Sequence, residues 1–200
     1  MLAKRAALQR AHGAPNRVRI IGGQYRRRLL DFPGSAGLRP TPDRVRETLF
    51  NWLQQKVTGR RCLDLFAGSG ALGLEALSRG AAQVVFVDLE PAVTRYLLEQ
   101  LRDFKCDRGL VIRTDAARYL DGPVQAFDLV FLDPPFDAAV LPEICGRIER
   151  GGWLAPGGYA YLEAPAAAGP PELPAGWTLL RSKRAGEVGY HLARRDVAGG

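Results

Sequence analysis

From Arg61 onward the chain alternates short apolar runs with segments of helical periodicity, and this alternation restricts the possible folds most. The runs RCLDLF, AQVVFVD, GLVIRTD, FDLVFLD and GGYAYLE predict five strands, with helices in GALGLEALSR, PAVTRYLLEQLRDF and about residues 138–150, and a short helix or turn in AARYL. The apolar runs do not alternate with polar residues, as expected for parallel strands buried on both faces. The pattern predicts an open, doubly wound, mainly parallel α/β sheet.

The two ends of the chain add further elements. After the Pro/Gly/Ala-rich connection APAAAGPPELPAG, the segment WTLLRSKRAGEVGYHLARR predicts two final antiparallel strands. Near the N-terminus, RVRIIGGQYRRRLLDF predicts a β-hairpin that turns at Gly22–Gly23. The next segment predicts a helix with Thr41 as its N-cap and its end at Gly59. We therefore expect a disordered basic arm (1–16), a hairpin-and-helix extension (17–58) and the main α/β domain (59–196).

Composition excludes several classes of protein. The three cysteines are widely spaced without a C-x-x-C pair, and there are only two histidines, so we predict neither a disulfide framework nor a metal centre. No apolar run approaches the roughly 20 residues that span a bilayer, and the first residues lack the apolar core of a secretion signal. We expect a cytoplasmic protein that does not bind membranes.

The positive charge of the chain is concentrated near its N-terminus. Residues 1–60 hold 13 Lys/Arg against 3 Asp/Glu, whereas the other 140 residues hold 15 against 18. The predicted hairpin carries five arginines and Tyr25, a composition that suits a nucleic-acid phosphate backbone. The alternative is a solvated basic face.

The glycine-rich segment LDLFAGSGALG follows the first strand of the main domain and opens its first helix. Gly68, Gly70 and Gly73 satisfy G-x-G-x-x-G, which nucleotide-binding folds use to bring backbone close to a ligand. The motif alone fits NAD, FAD and S-adenosylmethionine (AdoMet) equally, and also a turn without a ligand.

Acidic residues end three successive strands and narrow this choice. Asp64 precedes the glycines, where a carboxylate would repel a pyrophosphate but suits the cationic amino acid end of AdoMet. Asp88 ends the second strand, where it could accept hydrogen bonds from ribose hydroxyls, and Asp115 follows the third, within reach of an adenine amine. Any one of them could instead cap a helix.

The fourth strand ends in Asp133-Pro134-Pro135-Phe136, a stiff tip on the same sheet edge. The tip suits a planar exocyclic amine of a nucleobase, whose delocalised lone pair makes it a poor nucleophile. The Asp133 carboxylate and the Pro134 carbonyl could accept its two hydrogens, while Phe136 stacks on the base. The alternative is a strand-ending turn with a core phenylalanine.

With these motifs in view, the chain resembles AdoMet-dependent amino methyltransferases. More closely it resembles the bacterial family that makes N2-methylguanine in small-subunit (16S) ribosomal RNA, the RsmD family. The similarity spans about Arg17 to Arg195, and its most specific parts are RIIGGQYRRR, LRPTPDRVRETLFNWL, LDLFAGSGALGLEALSRGA and FLDPPF.

The resemblance implies a Rossmann-like class I methyltransferase with AdoMet as cofactor and ribosomal RNA, within a small-subunit assembly particle, as substrate. It implies catalytic roles for Asp133, Pro134, Pro135 and Phe136. It implies AdoMet contacts at Asp64, Phe66, Gly68, Gly70, Asp88, Asp115 and Ala116. It implies RNA contacts at Arg17, Arg19, Tyr25, Arg26, Arg27, Arg28, Arg39 and Arg44.

Three other functions stay open at this stage. An adenine-N6 methyltransferase acting on DNA has the same type of strand tip, but usually carries a separate recognition domain for which 200 residues leave no room. An NAD-dependent oxidoreductase needs a residue that polarises the hydride acceptor, and His191 lies too far along the chain. A non-catalytic RNA-binding assembly factor could retain the fold.

Overall fold

The computed structural model describes residues 16–32, 41–135 and 140–197. Its strands are β1 (Asn16–Arg19), β2 (Leu29–Phe32), β3 (Arg61–Asp64), β4 (Gln83–Asp88), β5 (Gly109–Arg113), β6 (Phe127–Leu132), β7 (Leu154–Pro165), β8 (Trp177–Ala185) and β9 (Val188–Arg195). Its α-helices are α1 (Asp43–Trp52), α2 (Ala71–Ser78), α3 (Pro91–Asp103), α4 (Ala116–Leu120) and α5 (Val140–Gly151). A short 3₁₀ turn (Ala166–Ala168) follows β7.

Seven strands form one sheet in the order β5-β4-β3-β6-β7-β9-β8. The first five of these neighbours pair in parallel, and β9 and β8 complete the sheet in antiparallel fashion. Buried side chains from β1, β2, α1, α2 and α3 cover one face, and those from α4 and α5 cover the other. The predicted doubly wound sheet with antiparallel C-terminal strands is confirmed.

The N-terminal hairpin is present, but Gly22–Gly23 is not a two-residue turn directly between its strands. The strands end at the Arg19–Leu29 pair, hydrogen bonds of Ile20 with Arg27 and Arg28 extend the pairing, and the chain reverses over residues 21–26, which include both glycines. At Gly23, with φ +76°, a Cβ atom would lie 1.9 Å from the carbonyl oxygen of Ser78 at the end of α2. The glycines therefore allow the connection to lie against a helix, a requirement that a tight hairpin turn does not have.

Two expectations about the first helix are wrong. Pro42, not Thr41, occupies the N-cap position, and the Thr41 hydroxyl bonds elsewhere. The helix ends at Trp52 rather than near Gly59, and turns complete the connection to β3. The apolar face is as expected, since Val45, Leu49 and Leu53 are fully buried. Residues 1–15 of the predicted disordered arm lie outside the described residues.

Candidate active site

A cleft of about 630 Å³ opens at the carboxyl ends of the parallel strands. Because parallel strands all end at one edge, residues that are distant in sequence converge there. Asp64, Asp88, Asp133 and Glu163 line the cleft at the ends of β3, β4, β6 and β7. Phe66, Gly68, Asp115 and Ala116, all predicted cofactor contacts, are also among the lining residues. The volume is within the usual range for a small-molecule site.

The glycine loop between β3 and α2 forms one wall of the cleft. Gly68 adopts φ +50°, and its backbone N–H donates to the Asp88 carboxylate over 2.8 Å. Gly70 is not a lining residue of this cleft. A Cβ atom there would lie 2.4 Å from a methyl group of Leu97, so the lack of a side chain lets the start of α2 lie against α3.

Asp64 is buried at the end of β3, with 2% of its surface exposed. One carboxylate oxygen accepts the backbone N–H of Gly73 over 2.9 Å, and a Cβ atom on Gly73 would lie 2.2 Å from the Phe86 ring. Burial, opposed by that hydrogen bond, raises the pKa of Asp64 to about 8. A cation beside this carboxylate would therefore stabilise its charged form.

Asp88 and Asp115 both organise backbone as well as lining the cleft. Asp88 accepts N–H groups of Gly68 and Glu90 on its two carboxylate oxygens, each at 2.8 Å. Asp115 is the N-cap of α4, and its Oδ1 accepts the N–H groups of Ala117 and Arg118 at 2.9 and 3.2 Å. The helix-cap interpretation is thus correct for Asp115, and its Oδ2 takes no part in the cap.

The tip of β6 places Asp133 at the cleft, half-buried, with Pro134 buried and Pro135 exposed behind it. All three line the cleft, while Phe136 lies outside the described residues. Burial raises the pKa of Asp133 well above its ordinary range, and the charges of Glu163 and Asp64 raise it further. A hydrogen bond from Thr41 lowers it.

Thr41 and Glu163 complete this corner of the cleft, and the buried Tyr161 lies behind them; none of the three was predicted in this role. The Thr41 hydroxyl lies 2.9 Å from Glu163 Oε1 and 3.4 Å from Asp133 Oδ2. Tyr161 donates its hydroxyl to the same Glu163 oxygen over 2.8 Å. Glu163 ends the apolar run of β7, so the rule that singled out acids at strand ends could have identified it.

A buried carboxylate fixes the N-terminal extension to the main domain. Glu75 of α2 has no exposed surface and accepts the backbone N–H groups of Ile21 and Gly22 at 2.8 and 2.9 Å. Arg79 donates to it over 2.7 Å, and the equally buried Arg46 lies 3.7 Å away. A glutamate within the apolar helix ALGLEALS was the available sequence signal, and it was missed.

The predicted RNA-binding residues of the hairpin divide into exposed and buried groups. Tyr25 is buried and stacks on Phe104 with ring centroids 4.6 Å apart. We expected its ring on the basic surface of the hairpin, but the ring packs in the interior instead. The exposed members are Arg17, Arg19, Arg26, Arg27, Arg28 and Arg44. Of these, Arg17 pairs with Asp31 at 2.6 Å and Arg19 lies 3.6 Å from Asp43. Arg39 lies outside the described residues.

Sheet order, glycine loop and acid-lined cleft together define a class I methyltransferase fold. The solved structure of the candidate methyltransferase yhhF from Escherichia coli has the same fold, with a TM-score of 0.85 and 43% identity over 91% of this chain and 99% of that one. The sequence model of the family described as Conserved hypothetical protein 95 matches residues 18–194. The chain belongs to this family, the RsmD family, as the sequence resemblance indicated.

Two relatives with the name Ribosomal RNA small subunit methyltransferase D match almost the whole chain. The protein from Escherichia coli (strain K12) is 45% identical over 188 residues, covering 94% of this chain and 95% of its own length. The protein from Haemophilus influenzae is 43% identical over 183 residues, covering 90% and 94%. In the described part of the chain, no helix is long and apolar enough to cross a membrane.

Proposed function

We propose that this protein transfers the methyl group of AdoMet to the exocyclic N2 amine of a guanine in small-subunit ribosomal RNA. The names and coverage of its relatives support the substrate class. The observation that carries the reaction type is Asp133, a half-buried carboxylate at the edge of a cleft whose other acids suit AdoMet.

The cleft fits AdoMet through its acids. Asp64 is buried with one N–H donor on its carboxylate, and a cationic amino group would offset the burial that raises its pKa. Asp88 and Asp115 would serve the ribose hydroxyls and the adenine amine, with Phe66, Gly68 and Ala116 along the walls. When bound, AdoMet supplies an electrophilic methyl group on a sulfonium.

Asp133 acts on the nucleophile. Its carboxylate accepts a hydrogen bond from the target amine and draws the nitrogen lone pair out of conjugation with the ring. The amine nitrogen would form a bond to the methyl carbon as the bond from that carbon to sulfur breaks, and the alkylated amine, now acidic, would release one proton. The carbonyl of Pro134 accepts the second hydrogen, and Pro135 stiffens the tip that holds both acceptors. The base must leave any stack to reach the cleft, and Phe136 offers it a stacking surface. Alignment of the amine by these groups is the main source of acceleration.

Thr41 and Glu163 act through Asp133 as positioning residues. Glu163 accepts the hydroxyls of both Thr41 and Tyr161 on one oxygen, which holds Thr41 in place beside Asp133. Because Thr41 lies two residues before α1, the N-terminal extension contributes directly to this corner of the cleft.

The test is methyl transfer from tritiated AdoMet to small subunits prepared from a strain that lacks this protein. Asp133→Ala, which removes the acceptor altogether, should reduce transfer at least about 100-fold, a loss typical for one preorganised group in an active site. AdoMet affinity, measured by calorimetry, should change little. Asp121→Ala, which removes a surface carboxylate paired with Arg147, is the matched control and should retain full activity.

Two outcomes would contradict the proposal. Transfer by Asp133→Ala at the wild-type rate would show that the Asp133 carboxylate is not the acceptor of the target amine. Nucleoside mass analysis that finds N6-methyladenosine rather than N2-methylguanosine, or faster transfer to DNA than to the particles, would replace guanine in ribosomal RNA as the target.

A further inference from the structure

Strand β8 forms one outer edge of the sheet and carries three exposed cations, Arg181, Lys183 and Arg184. None of the three has a carboxylate within ion-pairing distance among the residues that the structure describes. Residues 61–200 have a net negative charge as a whole, so their composition does not reveal this local excess of positive charge on β8. Cations without partners at a sheet edge are available to an anionic ligand.

Strand register shows which face each cation occupies. Lys183 is opposite Tyr190 on β9, and Tyr190 is in turn opposite Glu163 on β7. Directly opposed residues point to the same face of a sheet. Arg181, opposite Leu192, shares that face, whereas Arg184, opposite Gly189, points to the other.

The face that carries Arg181 and Lys183 is the face of the active-site corner. Tyr190 stacks on Trp52 of α1 with ring centroids 5.3 Å apart, so the N-terminal extension covers this face. Neighbouring strands lie about 4.8 Å apart, which puts the backbone of Lys183 roughly 10 Å from that of Glu163 at the cleft wall. The turn after β8 and the start of β9 also reach the cleft, since Glu187 and Val188 line it.

We propose that Arg181 and Lys183 bind the phosphate backbone of the RNA strand that leads away from the target nucleotide. The proposal rests on the proposed function, because it is the base in the cleft that brings its flanking phosphates to this surface. A base inserted in the cleft leaves its sugar and phosphates outside the mouth. Two cations on the same face of the sheet, two strands away from the cleft wall, fit that polyanion.

Protection of the sheet edge is the competing explanation for charges on β8, because charged side chains on an edge strand prevent pairing with another chain. In that role the cations on the two faces of β8 would be equally important, and RNA would not be involved. The phosphate-binding role needs only Arg181 and Lys183. Arg184 is therefore a matched control with the same strand, the same charge and similar exposure on the opposite face.

The experiment compares the full-length wild type with the double variant Arg181→Gln/Lys183→Gln and with Arg184→Gln. Methyl transfer to the undermethylated small subunits is measured between 50 and 200 mM KCl. We expect the double variant to raise KM about 10-fold at 100 mM KCl with kcat unchanged. The slope of log KM against log salt should fall by about 1.5, since each lost phosphate contact removes 0.7–0.9. Arg184→Gln should behave as wild type.

An unchanged salt slope in the double variant, or an equal change in Arg184→Gln, would overturn the proposal. Self-association of the variants in gel filtration with an unchanged slope would assign the cations to edge protection. If the wild type transfers no methyl group to the particles, the proposed function fails separately. The same three proteins are then compared for binding of a fluorescein-labelled 20-nucleotide poly(U). A lower salt slope for binding in the double variant, but not in Arg184→Gln, supports phosphate binding by Arg181 and Lys183, and equal slopes in all three proteins overturn it.

Discussion

The buried Glu75 carboxylate gives the most direct test of how the N-terminal extension is held. The substitution Glu75→Gln keeps the shape of the side chain but removes its charge and replaces one acceptor oxygen with an NH₂ donor. Ile21 and Gly22 donate their N–H groups to different oxygens of Glu75. In either orientation of the Gln amide, its NH₂ group would therefore face one of these backbone N–H groups, and two donors would meet.

The expected loss follows from what remains unpaired. Arg46 has no exposed surface. Its Nη2 pairs with Asp43 at 2.6 Å, but its Nη1 has no hydrogen-bond partner among the described residues and lies 3.7 Å from the Glu75 carboxylate, which compensates the charge on that side. Removing one partner of a buried ion pair costs about 3–5 kcal/mol. Typical unfolding free energies are only about 5–15 kcal/mol. Glu75→Gln should therefore remove a large fraction of the total stability.

The assay is urea denaturation followed by tryptophan fluorescence, with Glu149→Gln as the matched control. Glu149 pairs with Arg195 at 2.8 Å, but both side chains are about one quarter exposed, so water can solvate what is left. We expect the control to lose no more than about 1 kcal/mol. Hydrogen exchange at the Ile21 and Gly22 amides should quicken in Glu75→Gln alone.

A second variant separates the buried charge from simple misfit. Adding Arg46→Met to Glu75→Gln removes the guanidinium that has lost Glu75 and keeps only Asp43 as an ion-pair partner, so the double variant should lose at least about 1 kcal/mol less than the two single losses together. Either of two results would show that Glu75 does not compensate the charge of Arg46. One is a loss of unfolding free energy in Glu75→Gln that is no larger than the loss in Glu149→Gln. The other is a double variant whose loss equals the sum of the losses in Glu75→Gln and Arg46→Met.

The remaining predictions concern the acids of the cleft and their pH dependence. Thr41→Val removes the hydrogen bond that lowers the pKa of Asp133, so the acid limb of the kcat/KM profile should move to higher pH. Thr41→Ser keeps the hydroxyl and should leave the limb in place. Glu163→Gln removes a charge that raises the pKa of Asp133 and should move the limb to lower pH. Shifts in the same direction would contradict the arrangement. Burial raises the pKa of Asp64 from 3.8 to about 8, so its protonated form stabilises the fold below pH 4 and this contribution is lost as the pH rises through 8. The urea midpoint of wild type relative to Asp64→Asn should fall across that range, and a constant difference would show that Asp64 does not titrate there.

The hydrophobic periodicity of the sequence and the residue types at the predicted strand ends were sufficient to predict most of the fold and many of the residues that line the cleft. The apolar runs of β3 to β7 are short and continuous, which identified parallel strands, and parallel strands bring their carboxyl ends to one edge. That geometric consequence is why Asp64, Asp88 and Asp133 could be placed together without coordinates. The motif did not show that Gly70 also serves helix packing, and only the structure reveals its close approach to Leu97.

The sequence by itself determined the sheet, its glycine loop and the acids at its edge, because these depend on local periodicity and on a rule of chain direction. Only the tertiary structure decided which residues from distant segments meet. Thr41 reaches Glu163 across 122 positions of the chain, and Ile21 reaches Glu75 across 54. The two faces of β8 were likewise set by its pairing with β9, since alternation alone does not say which face adjoins the cleft. Contacts between distant segments depend on the packing of whole elements, and no local pattern records that packing.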